Sequence, residues 1–247
     1  MFKHLHLVRR PARIASIAAV LSLLSGCQAI VSSPPVSQVR IITASPDAPA
    51  LDIYQGDTAL TFNLGSGTIT SYIPLPPGNY TINAETAGSR QVLSASKAIF
   101  APSTQYTVLI GNSASSLQQL TLTDQSQPAP TGQISLRFIN QATRTGAVDI
   151  YLVPAGQKST AVTPVVTGVA FDANTGYLNV PAGTYSLVML PAGTVPNSTN
   201  VATYTGAQVN YSAGTARTII LIDQQLVTTP GLKVITAEDF DTQPATN

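Results

Sequence analysis

The most constraining feature of this 247-residue sequence is an internal repeat. Four short motifs recur in the same order, at offsets of 97, 97, 105 and 111 residues: 39–42 with 136–139, 51–54 with 148–151, 76–82 with 181–187, and 106–110 with 217–221. The second copy has therefore gained 8 residues and then 6 more. Such gains belong in surface loops, where the backbone can still hydrogen-bond to water. The repeat predicts two similar tandem domains.

Each copy reads as a series of short strands. Runs such as 80–84 and 106–110 have strand length, and turn-forming residues at 45–49 and 77–79 separate such runs. Thr, Ser, Val, Ile and Tyr recur throughout, which is typical of pleated, half-buried strands. With 44% hydrophobic and 9% charged residues, the chain is too apolar to be disordered. We therefore expect an all-β fold of two antiparallel β-sandwiches, immunoglobulin-like in general architecture.

The expected domain boundaries follow from the repeat and from local composition. The first sandwich is expected at 38–125 and the second at 133–241, joined by the linker 126–132, which contains Gln and Pro. Residues 27–37 include Ser-Ser-Pro-Pro and nothing that could build a core, which indicates a short tether. Residues 1–26 are expected to be a signal peptide.

The N-terminal segment has the order of a secretory signal. A basic stretch at 1–13 precedes an apolar run at 14–24, which is too short to cross a bilayer as a helix, since that takes about 20 residues. Leu-Ser-Gly-Cys at 24–27 then resembles the lipobox of bacterial lipoproteins. The alternative is an ordinary signal peptide in which Cys27 is incidental.

The lipobox resemblance implies a lipid anchor at Cys27. Diacylglycerol would alkylate its thiol, and the new N-terminus would be acylated, as with palmitate, because two or three acyl chains make a stable anchor. Gln28 stands where an Asp would hold a lipoprotein at the inner membrane. The resemblance therefore implies a cell-envelope location, at the outer membrane, on its periplasmic or its outer face.

One pattern resembles a known family. Val-Arg-Ile-Ile-Thr-Ala-Ser-Pro-Asp-Ala-Pro-Ala-Leu-Asp-Ile-Tyr at 39–54, followed by Pro-Gly-Asn-Tyr-Thr at 77–81 and Tyr-Thr-Val at 106–108, is similar to domain-of-unknown-function family 4397. The similarity covers nearly all of 38–240 in two copies, and the second copy departs from it at 141–146. The resemblance implies an extracytoplasmic, surface-associated role. No activity is assigned to the family, so the resemblance implies no catalytic residues in this chain.

The residues available for catalysis are few. Both histidines, His4 and His6, precede the expected cleavage site, and Cys27 is the only cysteine. A Ser-His or Cys-His nucleophile pair is therefore excluded from the mature protein. A zinc site built on imidazole or thiolate is excluded as well. We expect a protein that is not an enzyme and that holds no cofactor and no metal.

Paired carboxylates, as used in glycoside cleavage, are the remaining catalytic option. Asp47 and Asp52 could form such a pair, but Arg144 stands where copy two should have a second Asp47. Three further acids lie near the C-terminus and are expected to be solvated: Glu238, Asp239 and Asp241.

A calcium loop is suggested only superficially. Asp-Ala-Asn-Thr-Gly at 172–176 resembles the start of an EF-hand loop, but Gly183 stands where the twelfth position needs a Glu. We expect an Asx-type turn there instead.

The charge balance argues against nucleic acid as a partner. Four of the 12 basic residues precede Cys27, so eight basic residues face 11 acidic ones and the mature chain carries a net charge of −3. A weakly acidic chain without basic clusters lacks the electrostatic footprint of a nucleic-acid-binding protein.

An arginine and an aspartate recur in both copies at a spacing of 12 residues, as Arg40 with Asp52 and Arg137 with Asp149. We predict that each pair joins neighbouring strands through a bidentate ion pair and serves the fold. The alternative is that each pair binds a ligand.

Three tyrosines also recur: Tyr54 with Tyr151, Tyr72 with Tyr177, and Tyr80 with Tyr185. Exposed tyrosines could stack on sugars, so Tyr54, Tyr72, Tyr151 and Tyr177 are a candidate ligand surface. Repeated tyrosines in a sandwich are more often core or corner residues whose hydroxyl is bonded at the edge.

The sequence thus predicts a non-catalytic cell-envelope lipoprotein that displays two interaction domains at a membrane surface. The alternative is an accessory protein that binds exopolysaccharide or cell-surface glycan during export or modification. The expected partners are the membrane, through the lipid anchor, and an unknown protein or polysaccharide.

Overall fold

The computed structural model describes residues 35–197, 202–224 and 231–241. From Pro35 onward the chain forms one compact unit. The signal peptide expected at 1–26, the lipidation expected at Cys27 and most of the expected tether lie outside the described residues.

Two sets of eight strands make up the described structure. Copy one contains β1 (Ser37–Thr43), β2 (Leu51–Gln55), β3 (Thr58–Leu64), β4 (Ile73–Leu75), β5 (Gly78–Thr86), β6 (Val92–Phe100), β7 (Gln105–Gly111) and β8 (Gln118–Thr123). Copy two contains β9 (Gln133–Asn140), β10 (Val148–Pro154), β11 (Val166–Val169), β12 (Asn174–Pro181), β13 (Gly183–Pro191), β14 (Tyr204–Tyr211), β15 (Ala216–Asp223) and β16 (Leu232–Phe240). Short 3₁₀ turns lie at Ala114–Ser116 and Ser159–Ala161. The prediction of two tandem β-sandwiches is confirmed.

The two copies share one topology. Each has an inner sheet, ordered β4-β1-β7-β8 or β12-β9-β15-β16, and an outer sheet, ordered β3-β2-β5-β6 or β11-β10-β13-β14. The sandwiches are not purely antiparallel, because β1 pairs in parallel with β7 and β9 with β15. The residues gained by copy two lie in the loops after β10 and β13, where surface loops were expected.

Each sandwich has its own core between its inner and outer sheets. Val39 and Ile41 point into the core of copy one, and Leu136 and Phe138 point into that of copy two. This alternation follows from the two-residue period of a strand, which sends neighbouring side chains to opposite faces.

A third apolar cluster joins the two copies. It contains Ile42, Leu109 and Leu122 from copy one, together with Ile139, Ile220 and Ile235 from copy two. The two inner sheets therefore pack face to face, and the molecule is a stack of four sheets. Because both faces of β1 and β9 are covered, these strands are buried almost throughout, their polar residues included.

Candidate functional site

A buried cluster of charged side chains crosses the contact between the inner sheets. Arg40 in β1 is 2% exposed. Its Nε donates to Thr107 Oγ1 at 2.8 Å, and its Nη1 donates to the main-chain oxygen of Glu238 at 2.6 Å. Its Nη2 forms an ion pair with Asp239 of copy two. Arg40 therefore ties its own sheet to the last strand of the other copy.

Arg137 in β9 repeats this arrangement in the opposite direction. Its Nε donates to Thr218 Oγ1 at 2.9 Å, its Nη1 to the main-chain oxygen of Thr123 at 3.0 Å, and its Nη2 to Asp124 Oδ1 at 2.6 Å. Each arginine thus binds the aspartate of the other copy. The contact is reciprocal, as in the interface of a symmetric dimer.

A threonine and a tyrosine from the same copy hold each aspartate. In copy one, Asp124 Oδ2 accepts from Thr107 Oγ1 at 2.6 Å and from the Tyr72 hydroxyl at 2.8 Å. The Tyr72 ring also lies against the Arg40 guanidinium, 5.0 Å from its centroid. Aromatic rings attract cations in this way.

Copy two has the same contacts. Asp239 Oδ2 accepts from Thr218 at 2.7 Å and from Tyr177 at 2.8 Å, and the Arg137 guanidinium lies 4.7 Å from the centre of the Tyr177 ring.

Burial and the neighbouring charges shift the pKa values in this cluster. Burial lowers the pKa of Arg40, but the carboxylates of Asp124 and Asp239 outweigh it and the net shift is upward. Burial raises the pKa of Asp239, and Arg40 opposes that rise. Burial also raises the pKa of Tyr72 and Tyr177, and the aspartate beside each phenol adds to the shift. Because the donors of both arginines are engaged within the protein, the cluster binds the copies together rather than a ligand.

The predicted pairing of Arg40 with Asp52 and of Arg137 with Asp149 is wrong. Asp52 lies in the outer sheet, and its carboxylate accepts from the main-chain N–H groups of Asn63 at 2.8 Å and Gly88 at 2.9 Å. Arg40 lies in the inner sheet and faces the other copy. The constant spacing reflects two separate structural roles that both repeat.

Copy two confirms this second role. Asp149 accepts from the main-chain N–H groups of Gly168 at 2.7 Å and Gly193 at 2.8 Å. The four residues whose amides are bound in the two copies have positive φ angles between 55° and 77°. Asp52 and Asp149 therefore each hold an irregularity in the neighbouring strand, β3 or β11, and the turn that follows β5 or β13.

The repeated tyrosines do not share an exposed groove. Tyr54 and Tyr151 are buried, and Tyr72 and Tyr177 lie partly buried in the charged cluster. The corner interpretation holds for the third pair, because Tyr80 donates to the Pro76 oxygen at 2.8 Å and Tyr185 to the Pro181 oxygen at 3.0 Å. All nine tyrosines lie in the described ranges, and none is exposed there.

Asp239, expected to be solvated, is 4% exposed and is the partner of Arg40. Sequence reasoning missed it and Asp124. The sequence did contain a pattern that could have indicated them: in each copy an aspartate follows an alternating strand segment. These segments are Leu-Thr-Leu-Thr-Asp at 120–124 and Ile-Thr-Ala-Glu-Asp at 235–239.

The other sequence candidates have local roles. Asp47 Oδ1 accepts from the main-chain N–H of Ala114 at 2.9 Å. The expected Asx-type turn forms, because Asn174 Oδ1 accepts from the N–H of Gly176 at 3.0 Å. Across residues 35–197, 202–224 and 231–241, no group of three or more His, Cys, Asp or Glu residues is placed to hold a metal ion.

In the part of the chain that the structure describes, no helix combines the length and the apolarity that crossing a membrane requires.

Comparison with solved structures finds distant likeness. The chain is 14% identical to the Bacillus anthracis TIE protein with a TM-score of 0.24, and the match covers 77% of this chain but only 34% of that one. It is 11% identical to a family CBM26 module of Eubacterium rectale Amy13K, solved with maltoheptaose, with a TM-score of 0.23 and coverage of 84% of this chain and 98% of that one. At these scores the likeness carries no argument about ligand or activity.

Comparison with curated proteins finds no match. A family model does match, over residues 37–151 and 157–247, which together include nearly all of both sandwiches. The chain therefore belongs to the family described as domain of unknown function (DUF4397), and it carries two tandem copies of that domain.

Proposed function

We propose that this protein is a non-catalytic cell-envelope lipoprotein whose two sandwiches act as one rigid interaction module at a membrane surface. The observation that carries the proposal is the reciprocal cluster of Arg40, Asp124, Arg137 and Asp239, together with the apolar cluster that surrounds it. These contacts hold the outward-facing loops of both copies in a fixed relation. A preorganised surface loses little conformational freedom when a partner binds.

The buried aspartates support a non-catalytic role. The buried aspartates of the described chain all accept hydrogen bonds that hold turns or sheets, and they are Asp52, Asp124, Asp149, Asp223 and Asp239. For example, Asp223 Oδ2 accepts from the main-chain N–H of Thr143 at 2.7 Å. Each of these aspartates is at most 7% exposed, which leaves little of its carboxylate for a substrate to reach.

The entry point of the chain supports a tethered module. The first described residues lead directly into β1, and the Val36 oxygen accepts from the N–H of Ser103 at 2.9 Å. An anchor at Cys27 would therefore be joined where β1 begins. The loops at the opposite end, where β1 and β7 finish, would then be free to meet a partner.

Binding of exopolysaccharide or cell-surface glycan is the second candidate function. The tyrosines do not support it, because they form no exposed platform. A polar cleft between the copies, lined in part by Gln119, Gln141 and Asp172, does support it.

The test of the first candidate is lipidation and location. The whole chain and a Cys27→Ala variant are expressed in a Gram-negative host grown with an alkyne-tagged palmitate analogue, and cell fractions are probed for tag and protein. We expect tagged wild-type protein in the outer-membrane fraction and untagged variant protein outside it. Untagged wild-type protein in the cytoplasm would refute the proposal.

A further inference from the structure

The two edges of the contact between the inner sheets are not alike. The N–H of Asp172 donates to the Asn140 oxygen at 2.7 Å, and in copy one Gly67 makes the matching bond to the Thr43 oxygen at 2.7 Å. Asp172 thus occupies the position of Gly67, and it keeps a left-handed backbone, with φ of 63° against 80°. One edge therefore carries a carboxylate that the other lacks.

Two further differences accompany this carboxylate. Gln141 stands where copy one has Ala44, and Gly111 stands where copy two has Ile222. Gln141 is 3% exposed, and its amide fills the space beside Gly111, where a Cβ would lie 2.8 Å from the Gln141 Cδ. From there its Nε2 donates to Asp172 Oδ1 at 3.1 Å. The absence of a side chain at position 111 is what allows Gln141 to reach Asp172.

A cleft of about 320 Å³ opens at this edge. Leucine side chains line part of it, and its polar lining comes from both copies: Ser94, Ser96, Gln118, Gln119, Gln141 and Asp172. At the other edge, Lys233 occupies the position of Gln118 and lies over Gly67, whose Cβ would be 3.2 Å from the Lys233 Nζ. A second cleft, of about 540 Å³, lies farther along that edge, but Arg40 and Arg217 are among its lining residues. Of these two clefts, the one beside Asp172 is lined without a basic residue.

The lining specifies the chemistry of a ligand. Serine hydroxyls and glutamine amides both donate and accept hydrogen bonds, as sugar hydroxyls do, whereas a carboxylate only accepts. The cleft is lined by one acid and by no basic residue, so it disfavours anions. The leucines can contact the C–H groups of a sugar ring. The volume is at the small end of the range of about 300–1,000 Å³ for ligand sites, which suits one or two rings.

We propose that this cleft binds one or two residues of a neutral saccharide. The inference rests on the second candidate function and gives it a location and a ligand class. The cleft lies where β7 ends, and β1 starts at the opposite end, about 20 Å away along a strand of this length. A chain anchored before β1 would hold the cleft away from the membrane.

The test uses the chain from Gln28 onward, which contains every strand and apolar cluster described. Binding of neutral disaccharides containing glucose, galactose, mannose or N-acetylglucosamine is measured by saturation-transfer NMR and calorimetry, with a glucuronic-acid disaccharide for comparison. Two variants place the matching residues of the other edge in the cleft, Asp172→Gly and Gln118→Lys. Glycine suits the left-handed backbone at 172, so this variant keeps the fold. Asp57→Gly, in the exposed turn after β2, is the matched control.

We expect a neutral disaccharide to bind the wild type and the Asp57→Gly control equally, and the acidic disaccharide to bind more weakly. Asp172→Gly and Gln118→Lys should each weaken binding about 10-fold, as expected for loss of a charge-assisted hydrogen bond and for filling of the cleft. If no neutral disaccharide binds the wild type, the inference fails. If binding occurs but both cleft variants bind like wild type, the cleft is refuted, and glycan binding at another surface still stands. Neither result bears on lipidation at Cys27.

Discussion

The inner sheets of the two copies keep the same cluster of polar side chains at matching positions. The outer sheets share Asp52 with Asp149 and Tyr54 with Tyr151, but the residues beside these pairs differ. Copy one contributes Arg40, Tyr72, Thr107 and Asp124 to the contact, and copy two contributes Arg137, Tyr177, Thr218 and Asp239. On the outer face of the outer sheets, Asn83 and Glu85 of copy one correspond to Val188 and Leu190 of copy two.

The outer faces are covered in different ways. In copy one, Arg90 lies 3.9 Å from the centre of the Tyr54 ring, and its Nε is 3.3 Å from Oε2 of the buried Glu85. In copy two, Tyr151 belongs to an apolar cluster covered by Val162 and Ala202, which come from the lengthened loops after β10 and β13.

This difference shows where the duplicated sequence is constrained. An inner-sheet side chain must match its own sheet and the sheet of the other copy, so a change on one side leaves a buried group without its partner. An outer-sheet side chain must match only what covers it, and a loop can lengthen to cover an apolar face.

Removing one carboxylate from the inner-sheet cluster should cause the largest loss of stability. Asp239→Asn leaves the two buried arginines with one carboxylate between them, that of Asp124, whose Oδ2 lies 3.5 Å from Arg40 Nη2. Because one buried positive charge is then uncompensated, we expect the free energy of unfolding to fall by about 3–5 kcal/mol. The change is measured by urea denaturation followed by circular dichroism. Asp241→Asn, two residues later and exposed, is the control and should unfold like wild type. An equal loss in both variants would contradict the role of the cluster.

Changes at Gly111 and Gln141, which differ between the two edges of the contact, should have the next largest effect on stability. Gly111→Ile introduces the residue of copy two against Gln141, and we expect a loss of about 1–3 kcal/mol from overpacking. Adding Gln141→Ala, the residue of copy one, should restore part of that loss because it removes the overlapping amide. A double-mutant cycle measures this coupling. Strictly additive losses would show that the two positions do not compete for space.

The phenols of the inner sheets should make stability depend on alkaline pH. Burial raises the pKa of Tyr72 and Tyr177 above the ordinary value of about 10. Their stabilisation is therefore fully present below pH 10 and is lost as the pH rises further, because the unfolded tyrosines ionise first. We therefore expect urea midpoints to stay level up to about pH 10 and to fall as the pH rises above it.

The control for this pH dependence is the double variant Tyr72→Phe/Tyr177→Phe. Its midpoint should fall less steeply with pH, and at neutral pH it should be less stable than wild type by about 1–3 kcal/mol per lost bond to a carboxylate. The same alkaline slope in both proteins would show that other groups cause it.

The smallest effect is expected in the outer sheet. Glu85 is buried, and its Oε2 has no hydrogen-bond partner in the described structure beyond the ion pair with the half-exposed Arg90. Glu85→Leu introduces the residue of copy two, and we expect the free energy of unfolding to change by less than about 1 kcal/mol, toward greater stability. The reciprocal variant Leu190→Glu buries a carboxylate in an apolar cluster and should be clearly destabilised. Similar losses in both would show that the outer faces are as constrained as the inner ones.

Much of the fold was accessible from sequence because it depends on local signals. The repeat, the alternating strands and the turn residues predicted two tandem sandwiches, and the offsets located the lengthened loops. The predicted Arg40–Asp52 pair failed because spacing along the chain does not say which sheet, or which face of a sheet, carries each side chain. The solvated position expected for Asp239 failed for the same reason, since nothing local shows that a second sheet covers it.

Local sequence signals specify a duplicated all-β protein, because strand period and turn residues act over a few residues and recur in each copy. The packing of the folded chain sets the rest: the copies join through their inner sheets, each arginine binds the aspartate of the other copy, and each tyrosine is buried or partly buried. These partners are distant along the chain, by 199 residues for Arg40 and Asp239. They meet because burying both apolar faces of each inner sheet is favourable only when the sheets cover one another.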